Sequence, residues 1–351
     1  MNTINRRNFL KTSVMGGVAA TFISPLKTFA SLNKTEQSTQ ASVAITTGDN
    51  RADLAFRALQ QYSNQISQAI GNRRVVLKPN NVAVDNPLCA THVDTLEGIL
   101  EFLKSIGKID NVVIAESAAN GPTFDGFKNY GYFRLADKYP VKLLDLDKEG
   151  YEILHVFDEK DFRPHPVRFS KIILSPDSYI VSVARMKTHD WVGVTLSLKN
   201  IIFGAPLKDT GFSFGRNRKE DTKTDKPIVH GGGFRGINYN LCDLSRRIHP
   251  HLALIDGFEG MEGNGPTRGT PVDHRICVAS TDWFAADRVG VELMGIDFAK
   301  IGYLNYCAET GSGTADLSKI EIIGESISNH IRHYKLADNI EKQLIWSKPI
   351  S

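Results

Sequence analysis

The spacing of hydrophobic residues changes repeatedly along the chain, and these changes predict strands and helices in alternation. Short apolar runs are typical of buried strands, and apolar residues three and four positions apart indicate helices. The predicted strands cover 43–46, 74–77, 111–115, 141–145, 179–184, 252–256, 275–279 and 320–323, and the predicted helices cover 51–70, 91–106, 124–139, 194–203, 236–248 and 283–294. In the second of these helices, Asp94 is expected to cap the first turn and Gly107 to end it.

This alternation predicts an α/β fold, with a mostly parallel sheet and helices on both faces. A strand-like stretch at 151–175 is less regular, and 208–240 is a long segment rich in charge and glycine. A long irregular segment inside a domain is usually a lid or a disordered insert, and the sequence leaves both interpretations open. We therefore expect one α/β domain over 43–335 with an inserted subdomain or lid, followed by a C-terminal tail at 336–351.

The first thirty residues have the features of an export signal. Arg6 and Arg7 precede a Phe-Leu-Lys triplet, a short apolar run covers 14–23, and 28–30 offers a small-residue cleavage site. The Arg pair and triplet resemble the twin-arginine signature, which implies a folded passenger, the twin-arginine translocase as a partner and a periplasmic location. The apolar run is too short for a stable membrane span. The alternative is an amphipathic N-terminal helix, and the polar residues 31–42 are read as a linker.

Composition narrows the function classes once the signal is set aside. The chain of 351 residues is 41% hydrophobic and 23% charged, as expected for a soluble globular protein. Its formal net charge is +3, and the first thirty residues contribute four basic residues and no acid, which leaves about −1. Sequence-independent nucleic-acid binding needs a basic surface, so we expect no nucleic-acid partner.

The cysteines exclude some metal centres and leave the redox state open. Cys89, Cys242, Cys277 and Cys307 are widely spaced and form no CxxC motif. This spacing signals neither an iron–sulfur cluster nor a zinc ribbon. One or two disulfides in an oxidising compartment and four buried thiols are both compatible with it, and the pairing cannot be read from the sequence.

Ionisable or amide side chains follow four predicted strands. They are Lys78 and Asn80 after the second strand, Glu116 after the third, Lys187 and His189 after the fifth, and Asp256 at the end of the sixth. Because parallel strands end at one edge of the sheet, we expect these groups to converge in a crevice there. The alternative is that each satisfies a local turn.

Two further segments offer groups for ligand binding. Lys199 and Asn200 lie in the predicted helix 194–203, where a buried lysine is costly unless it meets an anion. A cationic cluster near that helix N-terminus would suit a carboxylate or phosphate, and His189 could carry protons near neutral pH.

The second segment is rich in glycine and covers 257–271. Gly263, Asn264 and Gly265 could bring backbone N–H groups close to an anion, although the segment matches neither a Walker loop nor GxGxxG. Asp256 and Glu262 offer oxygen ligands for a hard cation, so a divalent metal is one expectation. The alternative is a tight structural turn.

Several of these motifs together resemble a known family. They are Lys78-Pro79-Asn80, Lys187-Thr188-His189, Ser197-Leu198-Lys199-Asn200, Asp256-Gly257 and Gly263-Asn264-Gly265-Pro266, and the resemblance is to the family called domain of unknown function 362, over roughly 74–323. Some members carry ferredoxin-like iron–sulfur segments, which this chain lacks. The ten-residue spacing from His189 to Lys199 is also weakly similar to the nickel-pincer lactate racemase family, and that similarity concerns the fold and site position.

These observations favour an exported enzyme that acts on a small anionic substrate by proton transfer, as an isomerase or racemase does. In this hypothesis, lysines 78, 187 and 199 hold the anion, His189 and Glu116 exchange protons, Lys199 also takes part in catalysis, and Asn80, Asn200 and residues 263–265 position the substrate. Asp256 and Glu262 would add a metal, and no cofactor is identified. Two alternatives remain, namely a periplasmic metal or organic-anion binding protein and a metal-dependent hydrolase.

Overall fold

The apolar runs of the chain form a nine-stranded sheet, as shown by a computed structural model that describes residues 40–213 and 220–349. Strands and their bounds are β1 (Ser42–Thr47), β2 (Arg74–Lys78), β3 (Val112–Glu116), β4 (Val141–Asp145), β5 (Tyr151–Asp158), β6 (Arg163–Ser170), β7 (Ser178–His189), β8 (Gly193–Thr195), β9 (Leu252–Asn264), β10 (Arg268–Ser280) and β11 (Glu321–Gly324). The sheet order is β11-β1-β10-β9-β7-β2-β3-β4, and β8 pairs with the end of β7. Strands β9, β7, β2, β3 and β4 run parallel, while β10 is antiparallel to β9 and β1. The predicted mostly parallel α/β sheet is therefore confirmed.

Helices cover both faces of this sheet, as expected. They are α1 (Arg51–Gln60), α2 (Ser63–Ile70), α3 (Val93–Ser105), α4 (Thr123–Asn129), α5 (Phe133–Lys138), α6 (Lys171–Leu174), α7 (Ser197–Gly204), α8 (Phe234–Ser245), α9 (Trp283–Leu293), α10 (Gly302–Glu309) and α11 (Ile340–Gln343). Because side chains alternate along a strand, Val75 and Leu77 pack against α1–α5 and Val76 packs against α7–α10. Each face of the sheet thus has its own hydrophobic core.

Several helix boundaries in the structure differ from the predicted ones, each for a local reason. The predicted helix 51–70 is two helices, α1 and α2, that break after Gln60. The predicted cap of α3 is wrong, because the ring of His92 accepts the N–H of Asp94. The predicted helix 194–203 begins at Ser197, because 193–195 pairs with β7 as strand β8.

The glycine-rich segment is a β-ribbon, so the expected anion-binding loop at 257–271 is wrong. Strand β9 continues to Asn264 and pairs with β10 from Arg268 onward. The turn between the strands lies against the end of β7, where a Cβ on Gly265 would stand 2.1 Å from the carbonyl oxygen of Thr188. Glycine is needed here for this close approach of two backbones.

The less regular stretch 151–175 forms a separate antiparallel hairpin of β5 and β6, followed by the short helix α6. The described parts of 208–240 fold onto the body, and Lys226 and Val229 are buried. The segment predicted as a tail is also ordered through residue 349, and Gln343 accepts the N–H of Gly193 and donates to the carbonyl oxygen of His189.

Some expectations concern residues outside the described ones. The export signal at 1–30, most of the linker at 31–42 and residues 214–219 of the predicted lid are in this group. Within 40–213 and 220–349, no helix combines the length and apolar character needed to cross a bilayer.

Candidate functional site

A cavity of about 200 Å³ lies where β2, β3 and β7 end. Helix α7 forms one wall, and residues 226–230 form another. The polar and aromatic residues that line it are Lys78, Asn80, Asn81, Glu116, Ser117, His189, Thr195, Lys199, Asn200, Phe203, Lys226 and His230. Six of the sequence-predicted site residues therefore meet in one place, namely Lys78, Asn80, Glu116, His189, Lys199 and Asn200.

Lys78 and Glu116 form a buried ion pair at the floor of the cavity. The Lys78 ammonium lies 2.5 Å from Oε1 of Glu116. The same carboxylate accepts the backbone N–H groups of Asn81 at 2.9 Å and Ser117 at 2.8 Å. Because both carboxylate oxygens are occupied, Glu116 acts as the counter-ion of Lys78, which leaves it poorly placed to exchange protons.

Helix α7 lies very close to this ion pair. A Cβ on Gly204 would stand 2.2 Å from Cε and 2.4 Å from Nζ of Lys78. Asn200 on the same helix accepts from the side-chain amide of Asn80 at 2.9 Å and donates to the carbonyl oxygen of Lys78 at 3.1 Å. Helix α7 therefore fixes Lys78 in two ways. The side-chain amide of Asn200 hydrogen-bonds to its backbone, and Gly204 leaves room for its amine.

Lys199 differs from Lys78 because its amine has no polar partner within the described part of the chain. The side chain is buried, and its Nζ lies 4.3 Å from the centre of the Phe203 ring. Burial and the charge of Lys187 lower the pKa of Lys199 to about 7, against a smaller opposing effect of Asp190. The cavity thus holds an amine that is partly protonated near neutral pH.

His189 presents one ring nitrogen to the cavity. Its Nδ1 accepts the backbone N–H of Trp191 at 3.0 Å. Burial, with the charges of Lys199, His230 and Lys187, keeps the pKa of His189 well below its usual value. A neutral ring that accepts at Nδ1 carries its proton on Nε2, so His189 is a hydrogen-bond donor toward a ligand.

His230 has the opposite tautomer. Its Nδ1 lies 3.2 Å from the carbonyl oxygen of Lys226, to which it donates. Burial, together with the charge of Lys199, lowers the pKa of His230 to about 4. The lone pair of Nε2 is then available as an acceptor. The ring stands edge-on to Phe203, with the ring centres 4.9 Å apart, so it shares that aromatic surface with Lys199.

Three buried polar atoms on the lining residues lack a hydrogen-bond partner within residues 40–213 and 220–349. They are Oδ1 of Asn80, Nδ2 of Asn81 and Oγ1 of Thr195. An unsatisfied buried polar group costs about 1–3 kcal/mol, and a ligand that pairs with it removes this cost. All three atoms are closed to solvent, and Nδ2 of Asn81 lies beside α4, 3.7 Å from the position that a Cβ on Gly126 would take.

The N-terminus of α7 does not bind an external anion, contrary to the expectation for this helix. The carboxylate of Asp287 accepts the N–H groups of Ser197 at 2.7 Å and Leu198 at 3.1 Å. Burial raises the pKa of Asp287 to about 7, against the opposing effect of the two hydrogen bonds. At the other end, Lys226 donates to the carbonyl oxygen of Pro206 at 2.8 Å and reaches that of Gly204 at 3.4 Å.

The remaining predicted site residues lie outside the cavity. Lys187 is buried and donates to the carbonyl oxygen of Cys89 at 2.9 Å. Asp256 accepts from Thr95 at 2.7 Å and faces Arg51. Glu262 accepts the backbone N–H of Lys335 at 2.9 Å.

Gly263, Asn264 and Gly265 do not line the cavity, although Pro266 of the same turn does, and these three residues have a positioning role. The carbonyl oxygen of Gly263 accepts from Thr188, and that of Gly265 accepts the N–H of Asp190. The side-chain amide of Asn264 donates to Asp338. The turn therefore holds the residues on either side of His189 in place.

The expected metal ligands do not come together. Within residues 40–213 and 220–349, no group of three or more His, Cys, Asp or Glu side chains is placed to hold a metal ion. Asp256 is instead paired with Arg51 and Thr95.

Sequence reasoning missed Asn81, Thr195, Phe203 and Lys226 as site residues. Asn81 had the same signal as Asn80, since it follows the same strand. Lys226 and His230 come from the charged segment 208–240, and His230 is adjacent to its glycine run. Their approach to the strand ends is a long-range contact, and no local pattern encodes it.

Comparison with known proteins places the chain among uncharacterised relatives. A family model described as domain of unknown function (DUF362) matches residues 75–292. A thylakoid-associated protein from Synechocystis sp. is 24% identical over 230 residues, which cover 65% of this chain and 65% of that protein. A crystal structure of a Thermotoga maritima protein aligns over 77% of this chain and 61% of its own, with 11% identity and a TM-score of 0.36.

Proposed function

The chain belongs to the DUF362 family, and we propose that its strand-end cavity is the active site of an enzyme that binds a small anion and transfers a proton. The observation that carries this proposal is the buried, unpartnered amine of Lys199 in a cavity with unsatisfied hydrogen-bonding groups. A buried amine without a partner destabilises a protein. A ligand of opposite charge offsets that cost.

The groups around Lys199 suit a carboxylate. Nε2–H of His189 and the hydroxyl of Thr195, two residues of the lining, are donors without a partner within the described segments. A carboxylate accepts several hydrogen bonds in the plane of its oxygens. Together with the Lys199 ammonium, these donors would bind and orient one such group, and Phe203 would exclude water from one side.

Proton transfer is assigned to Lys199 and His230. A general acid or base works best with a pKa near the working pH, and the pKa of Lys199 is about 7. Nε2 of His230 offers a lone pair in the same cavity. Glu116 was the predicted partner for this step, but its oxygens already hold Lys78 and two backbone N–H groups.

Exchange of carbon-bound hydrogen tests the proposal. Lactate, pyruvate and succinate are incubated with the protein in D₂O, and loss of the C–H signal is followed by NMR while thermal shifts report binding. Wild type should exchange at least one of the three, and Lys199→Met should lower that rate by roughly 10²–10⁴-fold, the usual contribution of general acid–base catalysis.

Lys208→Met is the matched control, because it removes another buried lysine that lies outside the cavity and is not among the charges that shift the pKa of Lys199. It should retain both exchange and the thermal shift. Stabilisation without exchange would favour the organic-anion binding protein. If none of the three compounds stabilises the protein, the proposed anion site is wrong.

We also propose that the chain is exported by the twin-arginine pathway. The pair Arg6-Arg7 followed by Phe9-Leu10-Lys11 supports this. Replacing both arginines by lysine should remove the protein from the periplasmic fraction of a bacterial host, whereas Lys27→Arg should not. An unchanged distribution of the double variant would contradict export by this route.

A further inference from the structure

We propose that the Lys199 amine forms an imine with the carbonyl carbon of a small 2-oxo acid, an inference that rests on the anion-binding cavity proposed above. It names the substrate class that the cavity selects. It also explains why the cavity would contain a group that transfers protons, because an imine makes the hydrogen on the neighbouring carbon more acidic.

The geometry separates Lys199 from the other buried lysines. Lys78 is paired with Glu116, and Lys208 is paired with Asp147. The amines of Lys187 and Lys226 donate to backbone carbonyl oxygens at 2.9 Å and 2.8 Å. Among the buried lysines of the described segments, Lys199 alone has an amine that reaches the cavity without a polar partner.

An amine must be unprotonated to attack carbon. An ordinary lysine is almost fully protonated at neutral pH. Burial and a neighbouring cation bring the pKa of Lys199 to about 7, which leaves a large neutral fraction. The Phe203 ring beside it excludes water and does not compete for the nitrogen lone pair.

The other lining groups match a 2-oxo acid. The neutral His189 ring offers Nε2–H to the carbonyl oxygen and so polarises it. The Lys226 ammonium, which also belongs to the lining, adds a positive charge for the carboxylate, and Thr195 contributes a hydroxyl without a partner in the described segments. A 2-hydroxy acid would engage the same groups but has no electrophilic carbon.

The step is balanced without an oxidant or reductant. The nitrogen lone pair of Lys199 bonds to the carbonyl carbon, and the C=O π pair moves to oxygen. His230 Nε2 relays one proton from nitrogen to that oxygen, which gives a carbinolamine with one N–H and one O–H. It then relays the remaining nitrogen proton to the hydroxyl, which leaves as water with its bonding pair while the nitrogen lone pair forms the carbon–nitrogen double bond. The reverse sequence with water releases the 2-oxo acid.

Borohydride trapping tests this inference. Full-length protein is incubated with pyruvate, treated with sodium borohydride, which supplies the hydride that reduces the imine, and digested for peptide mapping by mass spectrometry. We expect a reduced pyruvyl adduct on Lys199, at roughly a hundredfold higher occupancy than on exposed lysines, because of its larger neutral fraction. Excess lactate, which lacks the carbonyl, should compete and reduce the labelling.

Lys187 and Lys226 are internal controls in the same digest, since both are buried but hydrogen-bonded. Labelling spread evenly over all lysines, or absent from Lys199, would overturn the inference. The Lys199→Arg variant should lose the adduct, and the wild-type peptide map decides the matter if that variant does not fold.

Thermal shifts separate the two proposals. If pyruvate and lactate both stabilise the protein but no adduct forms, the anion site stands and the imine is wrong. If neither compound stabilises the protein and no adduct forms, the anion site fails as well.

Discussion

At the scale of single residues, His189 illustrates how one backbone contact decides a side chain's chemistry. Nδ1 accepts the N–H of Trp191, which places the ring proton on Nε2. The sequence predicted that this histidine would carry protons. Its burial and its tautomer instead indicate a neutral donor that polarises a ligand.

A pair of variants separates the two ring nitrogens of His189. His189→Asn retains an acceptor for the N–H of Trp191, as an Asx turn does, but loses Nε2–H. It should keep its unfolding free energy within about 1 kcal/mol of wild type, while the thermal shift with pyruvate disappears. His189→Ala leaves that N–H without a partner and should cost about 1–3 kcal/mol. Equal destabilisation of both variants, measured by urea denaturation, would contradict this assignment.

The lowered pKa of the Lys199 amine predicts how the stability of the protein changes with pH. That pKa is about 7 in the folded protein and near 10.5 in the unfolded chain. Between these values the unfolded chain holds a proton that the folded protein has released, so stability rises with pH across this window. Below about pH 7 both states are charged, and the full cost of burying the charge is present.

Lys199→Met removes that cost. Urea denaturation should show the variant to be more stable than wild type at pH 6, and the difference should shrink toward pH 10. Lys199→Arg, which stays charged at all these pH values, should be less stable than wild type at pH 10. A Lys199→Met difference that is the same at both pH values would show that the amine is not perturbed.

At the scale of secondary-structure elements, α7 depends on its fit against β2. The absence of a side chain at Gly204 lets the Lys78 amine reach Glu116. Gly204→Ala should displace Lys78 and cost about 1–3 kcal/mol, the usual effect of overpacking. Gly126→Ala in α4 is the matched control, because its added Cβ would have no neighbour nearer than 3.4 Å. Circular-dichroism melting compares the two, and equal Tm values for both would contradict the close fit.

Helices α8 and α10 bring two cysteines together. All four cysteines are free thiols in the structure, so whether a disulfide forms depends on the redox environment of the protein. A side-chain hydrogen bond to Cys307 lowers the pKa of Cys242 to about 7, and Cys242 lines a surface cavity of about 270 Å³. Cys242 is only 4% exposed, but the cavity gives it an approach from the surface, and a thiol of low pKa is the one that attacks a disulfide.

We therefore predict a Cys242–Cys307 disulfide when the folded protein is treated with oxidised glutathione. Two thiols are oxidised and one glutathione disulfide is reduced to two thiols. Titration after unfolding should then find two free thiols, on Cys89 and Cys277, while Cys242→Ser should retain its remaining three. Four free thiols in treated wild type would refute the pairing.

At the scale of the whole molecule, strand ends were the most informative signal in the sequence. The apolar runs predicted the sheet because buried parallel strands need continuous hydrophobic stretches, and the side chains after β2, β3 and β7 share one edge, as the rule for parallel sheets requires. Asp256 also follows a parallel strand. It lies outside the cavity because β9 continues past it as a ribbon with β10.

Contacts between distant segments could not be predicted in this way. The hydrogen bonds that occupy Glu116 come from backbone N–H groups, whose direction no residue type encodes. The approach of His230 to Phe203 and the capping of α7 by Asp287 join residues about thirty and ninety positions apart. The six predicted residues that line the cavity therefore lie where the sequence placed them, but these long-range contacts give several of them a different role.

Gln343 lies far outside the residues that match the family model, yet it donates to the carbonyl oxygen of His189 and accepts the N–H of Gly193. Strands β1 and β11, which shield the edge of β10, also lie outside that span. A fragment cut at residues 75 and 292 would therefore expose an unprotected strand edge, which invites aggregation. It would also lose the contacts of Gln343 with the backbone of His189 and Gly193, which help to hold the imidazole in place. Recombinant work on this fold should keep both flanking segments.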